Sequence, residues 1–331
     1  MKERVYFFDN IKFIIAFLVI LAHFGHMRFD HYILGPVLVL IHSFIMPAFL
    51  IVTGYYTKTV SKQRLSDIDK VLYPYLIFQT LNYIFTTSTG LGVGGLNFFA
   101  PTYQNWFLMC LFWWRLIIPY AQYFTRRSFF CILFIVAVYS GFYLIHNLLE
   151  IYRMLYFFPF FALGYYIPNL ESLLDKFRPY RVFFFAIFIT AMVLLFCLTS
   201  YSEAIKQLLL FGYHPAQAHG FNLTYFLTRF IAFWSSLILG WCFLYLVPRR
   251  RTWFTKLGKN VINVYLTHMF IVWPIAALAV GLDQNVYLFI SVIGTFAIAV
   301  LLSQEFVNKL LAPLMDFGYF RKRIPASEPK I

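Results

Sequence analysis

The chain has 331 residues, of which 61% are apolar and only 12% charged. An ordinary soluble domain is roughly a quarter charged, so too few charges remain to coat a soluble surface, and most of this surface must face lipid. Lys and Arg outnumber Asp and Glu by 27 to 13, a net charge of +14, and in a chain of this composition that excess is first a matter of membrane topology, because basic residues gather in cytoplasmic loops.

A bilayer-crossing helix needs about 20 mostly apolar residues. In chain order, such runs predict spans at 7–26, 36–56, 71–88, 104–122, 129–147, 152–168, 182–199, 223–247, 261–280 and 285–306. The first run follows Lys2 and Arg4 as a signal peptide would. It carries Asp9 and Lys12 and is followed by no small-x-small cleavage site, so it reads as a retained helix. Of the two longest loops on the side away from the N-terminus, 89–103 is rich in glycine. Its run Gly90 to Gly95 lacks the Lys-Ser/Thr that ends a phosphate loop, and it reads as a flexible connection. The other, 200–222, alternates Ile205, Leu208, Leu209 and Phe211 with Glu203, Lys206 and Gln207, as a short surface helix would. The four cysteines, Cys110, Cys131, Cys197 and Cys242, lie in apolar runs and read as core or lipid-facing residues.

Twenty-one of the 27 Lys and Arg fall on the side of the N-terminus. Only Arg28 and Lys206 fall opposite, while Lys12, Arg115, Arg153 and Arg229 lie within or at the ends of spans. This predicts an all-α integral membrane protein of about ten transmembrane helices with both termini cytoplasmic. It is one polytopic domain over 1–331, with its spans within about 7–310 and a cytoplasmic tail at 311–331. The loops 57–69 and 248–260 are cytoplasmic and 200–222 is external. Because topology accounts for the basic residues, nucleic acid is removed as a partner. The same residues can attract anionic lipid or an anionic cofactor.

Polar groups inside the hydrocarbon are costly and are therefore candidates for function. Span 1 is densest in them, with Asp9, Lys12, His23 and His26. Lys12 and His23 are eleven residues apart, which at ~100° per residue puts them within about 20° of one face and about 16 Å apart along the axis. Ala16 and Val19 lie between them and leave room for a groove. Two readings are open. Asp9 and Lys12 form an interfacial ion pair with a snorkelling lysine and His23 is an ordinary helix-end histidine. Alternatively, a tunnel lets Lys12 meet a cytoplasmic anion while His23 acts as general base. Seven of the eight histidines fall in the outer half or outside, and His268 alone is placed toward the cytoplasm. No zinc-ligand spacing occurs, and no metal is expected. Arg115, Arg153 and Arg229 read singly as snorkelling helix-end residues and together as a group able to hold a phosphate or a sugar carboxylate.

Asp9-Asn-Ile-Lys12, followed by ten residues and His23, resembles the Arg/Lys-x10-His signature of the membrane acyltransferase-3 family. Phe44-Ile-Met-Pro47 with Phe49 and Thr53-Gly54-Tyr55 resembles that family's "F-H-M-P-x-F-F…S-G-Y" segment, best known from its fucose 4-O-acetylase-like branch. Similar echoes are Lys70-Val-Leu-Tyr-Pro-Tyr75, Trp106-Phe-Leu, Tyr156-Phe-Phe-Pro-Phe-Phe-Ala-Leu-Gly-Tyr165 and Asn263-Val-Tyr-Leu-Thr-His268. The chain departs from the pattern at Ile45, which stands where the branch has histidine. His42, three residues earlier on the same helix face, is the candidate stand-in.

The resemblance implies transfer of an acyl group, usually acetyl, from cytoplasmic acyl-CoA to a hydroxyl of a cell-envelope glycan or lipid-linked sugar in the bacterial plasma membrane. Acyl-CoA is then a co-substrate and no cofactor is permanently bound. It further implies that His23 is the catalytic histidine, Lys12 the signature cation and Asp9 its acidic neighbour, with His42 beside them. Donor phosphates would meet Lys12, Lys62, Arg64, Lys70 and Arg115, and the acceptor would meet Arg153, Arg229 and His26. Asn263, Tyr265 and His42 are candidates for stabilising the oxyanion. The competing reading is a polysaccharide or sugar exporter that uses the same charges as a path without chemistry.

Overall fold

In a computed structural model the described residues are 6–60, 68–90, 95–143, 148–201 and 223–321, and they are helical throughout apart from their connections. The helices are α1 Tyr6–Met27, α2 Leu34–Val60, α3 Tyr73–Thr89, α4 Trp106–Ile117, α5 Arg126–Tyr143, α6 Ile151–Tyr166 and α7 Leu170–Lys176. They continue with α8 Arg181–Tyr201, α9 Leu223–Leu246, α10 Val261–Thr267, α11 Met269–Ala279, α12 Gln284–Leu302, α13 Glu305–Met315 and α14 Gly318–Arg321.

Among the described residues five segments are long and apolar enough to cross a membrane: Tyr6–Met27, Leu34–Lys58, Arg178–Ser200, Leu223–Leu246 and Gln284–Leu302. The pair α10–α11 makes a sixth if its 62° bend lies within one span. Every one of the ten expected spans coincides with a helix or helix pair, but α3, α4 and α6 are only 17, 12 and 16 residues long. At ~1.5 Å per residue they are shorter than a ~30 Å hydrocarbon layer. The predicted surface helix in 205–211 lies outside the described residues.

Two kinds of contact hold the bundle. α1 packs between α2 on one side and α11 and α12 on the other. α2 packs against α6, α8 and α9. Where α2 crosses α6, a Cβ on Gly54 would stand 1.9 Å from the Phe161 carbonyl oxygen, and one on Gly164 would stand 1.9 Å from that of Ile51. Small residues allow this approach, and dense packing is what associates helices in lipid. In contrast, α8 is almost wholly turned outward, with Val182, Phe183, Val193 and Leu194 exposed, as a lipid-facing helix would be.

The second contact joins chain segments far apart in sequence. Asn10 is fully buried, and its amide donates to the carbonyls of Pro248 (2.7 Å) and Arg250 (2.9 Å). Its Oδ1 accepts from the Thr252 (3.1 Å) and Thr255 (2.6 Å) hydroxyls. Gly258 lies against the Asp9 backbone so closely that a Cβ there would be 1.9 Å from the Asp9 oxygen. The basic segment 248–260 is thus fastened to the first turn of α1.

Candidate active site

The α1 stripe opens onto a cavity of about 680 Å³. Lys12, Ile15, Ala16, Val19, Ala22, His23 and His26 all line it, which is the spacing of one helix face. Opposite stand Ile41, His42, Ile45 and Met46 of α2, Trp106 and Phe107 of α4, and Val261, Val264, Tyr265 and His268 around α10. At one end stands an ion pair: Lys12 Nζ lies 3.0 Å from Asp9 Oδ1, and Asp9 is buried while Lys12 is about one-third exposed.

Four imidazoles meet at the other end. The His23 ring is 5.0 Å from that of His268 and 5.8 Å from that of His26, and His26 is 5.1 Å from His42. His42 Nδ1 is 2.8 Å from the Leu38 carbonyl, which makes that nitrogen the donor and leaves Nε2 as an acceptor. His268 repeats the arrangement, with Nδ1 2.8 Å from the Val264 carbonyl. Its Nε2 is buried without a hydrogen-bond partner among the described residues. Ile45 also lines the cavity, so His42 and the residue in the family's histidine position share its wall.

The placement of His268 toward the cytoplasm is therefore corrected: it packs beside His23. A straight helix beginning at Val261 would leave it too low. Instead the chain rises from Gly258, level with Asp9, through a 3₁₀ turn at Leu257–Asn260 before α10 begins. At ~2.0 Å per residue in such a turn and ~1.5 Å in an α-helix, that path gains about 16 Å by residue 268. The 14 residues from Asp9 to His23 gain about 21 Å. The helix then breaks at His268, one and a half turns before Pro274, which cannot donate to the Phe270 carbonyl.

The rim is built by the loop 95–105 and the start of α6. Gln79 of α3 donates to the carbonyls of Asn97 (2.8 Å) and Ala100 (3.0 Å), and its Oε1 accepts from the Thr102 backbone N–H and hydroxyl and from Asn105. Tyr75 adds a bond to the Phe98 carbonyl. Leu149 donates to the Phe99 carbonyl, which ties the loop to α6. Tyr103, Leu149 and Glu150 all have left-handed backbone, with φ of 49°, 52° and 53°. Such conformations cost energy in residues with side chains and concentrate at functional sites. Glu150 Oε2 is 3.1 Å from Arg153 Nη1, with Glu150 buried and Arg153 partly exposed. The Arg153 guanidinium also lies over the Trp106 ring at 5.2 Å. Burial pushes the Glu150 carboxyl above its ordinary value, against the pull of Arg153.

The structure thus brings Lys12, His23, His26, His42 and Arg153 to one cavity, with Asp9 on Lys12. Tyr265 lines it too, its hydroxyl donating to the Gln104 carbonyl. Asn263 is fully buried off the lining. Arg115 is half-buried and Lys70 exposed, and neither lines the cavity. Lys62 and Arg64 lie outside the described residues. Arg229 does not reach the cavity. It is fully buried between α9 and α5, donating to the carbonyls of Val138 (3.1 Å) and Ala137 (2.9 Å) and to the Ser140 hydroxyl (3.1 Å), with its charge 4.6 Å from the Tyr156 ring. The grouping of the three arginines around one anion is accordingly corrected. Glu150 and Gln104 carry no signal in the sequence, and the loop read as a flexible connection is secured by Gln79. Among the described residues no group of three or more His, Cys, Asp or Glu side chains could hold a metal ion.

Comparison with curated proteins and with solved structures yields no match. A family model described as an acyltransferase domain, acyltransferase 3, matches residues 5–304, which include every helix that lines the cavity. The chain belongs to the acyltransferase 3 family and is a membrane acyltransferase.

Proposed function

We propose that the protein moves an acyl group, in the first instance acetyl, from cytoplasmic acyl-CoA to a hydroxyl of an extracytoplasmic or lipid-linked cell-envelope glycan, as the fucose 4-O-acetylase-like branch does. The observation that carries this reading is that Lys12 and His23 line one cavity at opposite ends of the same helix face. Ten spans, cytoplasmic termini and a bacterial plasma membrane belong to the same proposal. On that topology the Lys12 end faces the donor and the rim faces the acceptor.

In this reading the donor's phosphates stay at the basic cytoplasmic surface and its thioester arm enters past Lys12. His23 takes the proton of the acceptor hydroxyl as the oxygen attacks the thioester carbonyl. The carbon–sulfur bond breaks, and the His23 imidazolium returns that proton to the leaving sulfur, so that CoA departs as the thiol and His23 is again neutral. His268 is a positioning residue. Its Nε2 is free to accept a hydrogen bond from a His23 N–H, which fixes the His23 tautomer and supports the imidazolium once formed. Attack by His23 itself, through an acyl-histidine, uses the same geometry.

The test is incubation of the purified protein in lipid with radiolabelled acetyl-CoA and extracted envelope glycans. Label transferred to a glycan hydroxyl supports the reading. Clear glycan efflux from vesicles without transfer to any glycan would replace it with the exporter.

A further inference from the structure

The cavity has its cations already matched. Among the described residues, the side chains of Lys, Arg, Asp and Glu that line it are Lys12, Glu150 and Arg153. Lys12 faces Asp9 at 3.0 Å and Arg153 faces Glu150 at 3.1 Å. The Arg153 guanidinium is further occupied by the Trp106 face. An acidic acceptor would have to displace a carboxylate from one of these pairs or lie beside it, and like charges brought together at an interface are strongly disfavoured.

The unsatisfied polar atoms point the same way. Gln104 is 2% exposed and lines the cavity. Its Nε2 donates to the Leu266 carbonyl at 2.9 Å, which fixes the other amide atom as oxygen. That Oε1 is buried without a hydrogen-bond partner among the described residues. An ionised carboxylate has about four acceptor positions, and the side chains of Arg153 and Tyr152 leave Glu150 with capacity for more. What Gln104 Oε1 lacks, then, is a donor. A buried acceptor left unmade is costly. A polyhydroxylated ligand supplies O–H groups, whereas a carboxylate can only accept.

We infer that the acceptor site is the rim formed by Gln104, Glu150 and Arg153, and that it takes an uncharged polyhydroxylated sugar in preference to a uronic or otherwise acidic one. Hydroxyls donate to Gln104 Oε1 and the Glu150 carboxylate, and Arg153 donates to ring or hydroxyl oxygens while its charge remains balanced. This rests on the acyltransferase reading above and narrows its acceptor.

The experiment uses the full-length protein in lipid with acetyl-CoA and matched acceptor pairs, alkyl β-glucoside with alkyl β-glucuronide and the corresponding galacto pair. The members of a pair differ only in a CH₂OH or a carboxylate. The neutral member should be acylated with a kcat/KM about tenfold higher or more. In Glu150→Gln, which releases Arg153 from its partner, the ratio should fall toward or below one. Equal or preferred use of the acidic members by the wild-type protein overturns the inference. It is equally overturned if Glu150→Gln folds and lowers transfer to both members alike, since Glu150 then only anchors the turn. Should Glu150→Gln fail to fold, the wild-type ratio decides. Transfer that persists in His23→Ala would defeat the catalytic reading and leave the acceptor preference standing, whereas acylation of neither member of any pair by the wild-type protein would defeat the acceptor site.

Discussion

Arg153 and Arg229 are the same residue type, each near a helix end, and sequence treats them alike. The structure separates them. Arg153 stands on a cavity wall, partly exposed and paired with Glu150. Arg229 is sealed in the seam between α9 and α5, where its guanidinium completes the hydrogen bonding of Ala137, Val138 and Ser140. A cation inside the hydrocarbon therefore does not by itself mark a site. What decides is whether its remaining surface faces a volume that a ligand can enter. Substitutions in the wall should cost turnover at constant folded protein, and substitutions in the seam should cost folded protein at constant turnover.

The largest effect belongs to the wall. His23→Ala should lower acyl transfer by about 10²–10⁴, the usual contribution of a general base, measured per folded, membrane-inserted molecule. Near-normal turnover would end the proposed mechanism. Next comes the seam. Arg229→Ala should destabilise the protein by roughly 2–5 kcal/mol, the scale of emptying the volume of a large buried side chain and leaving its acceptors without a donor, read as lower thermal stability in detergent. Its specific activity should stay normal, and a loss of turnover without a loss of stability would erase the distinction drawn here.

Lys12→Ala should raise the apparent KM for acyl-CoA about 10- to 150-fold, from the ~1.5–3 kcal/mol of a charge-assisted contact. Lys12→Arg should be tolerated, and an unchanged donor KM in correctly inserted Lys12→Ala would remove the donor role. The smallest effect is that of His268, argued here to act through His23. Losing the one hydrogen bond proposed to form with His23 during transfer, ~0.5–1.5 kcal/mol, predicts a drop of about 2- to 13-fold in kcat for His268→Ala. It should come with a displaced pH profile and partial recovery in His268→Gln. Lower protein abundance with an unshifted profile would make His268 a packing residue only.

The sequence is most informative where the chain is regular. Asp9, Lys12, Ala16, Val19 and His23 fall on one stripe because α1 is an uninterrupted helix, so angular arithmetic places them correctly. The same arithmetic fails for His268, because a 3₁₀ turn lengthens the approach and the helix breaks at that residue. Hydropathy locates the helices but not their lengths: α3, α4 and α6 are shorter than a bilayer, and only packing reveals that α2 and α6 touch at Gly54 and Gly164. Glu150 and Gln104 are not legible in the sequence because each sits in a connection with no periodicity, one in a left-handed turn and the other in a loop whose position depends on Gln79, 25 residues earlier.

The fastening of Asn10 to residues 248–255 also bears on how the molecule is made. The first helix enters the membrane early in synthesis, yet its partners are translated some 240 residues later. Until they emerge, a buried asparagine and the Asp9–Lys12 pair must be held without the segment that closes over them. The facing wall at Val261 to His268 is likewise absent. A ribosome that stops before codon 260 leaves a chamber without its wall at Val261, Val264, Tyr265 and His268. The cavity is therefore walled on that side only after residue 268 has been delivered.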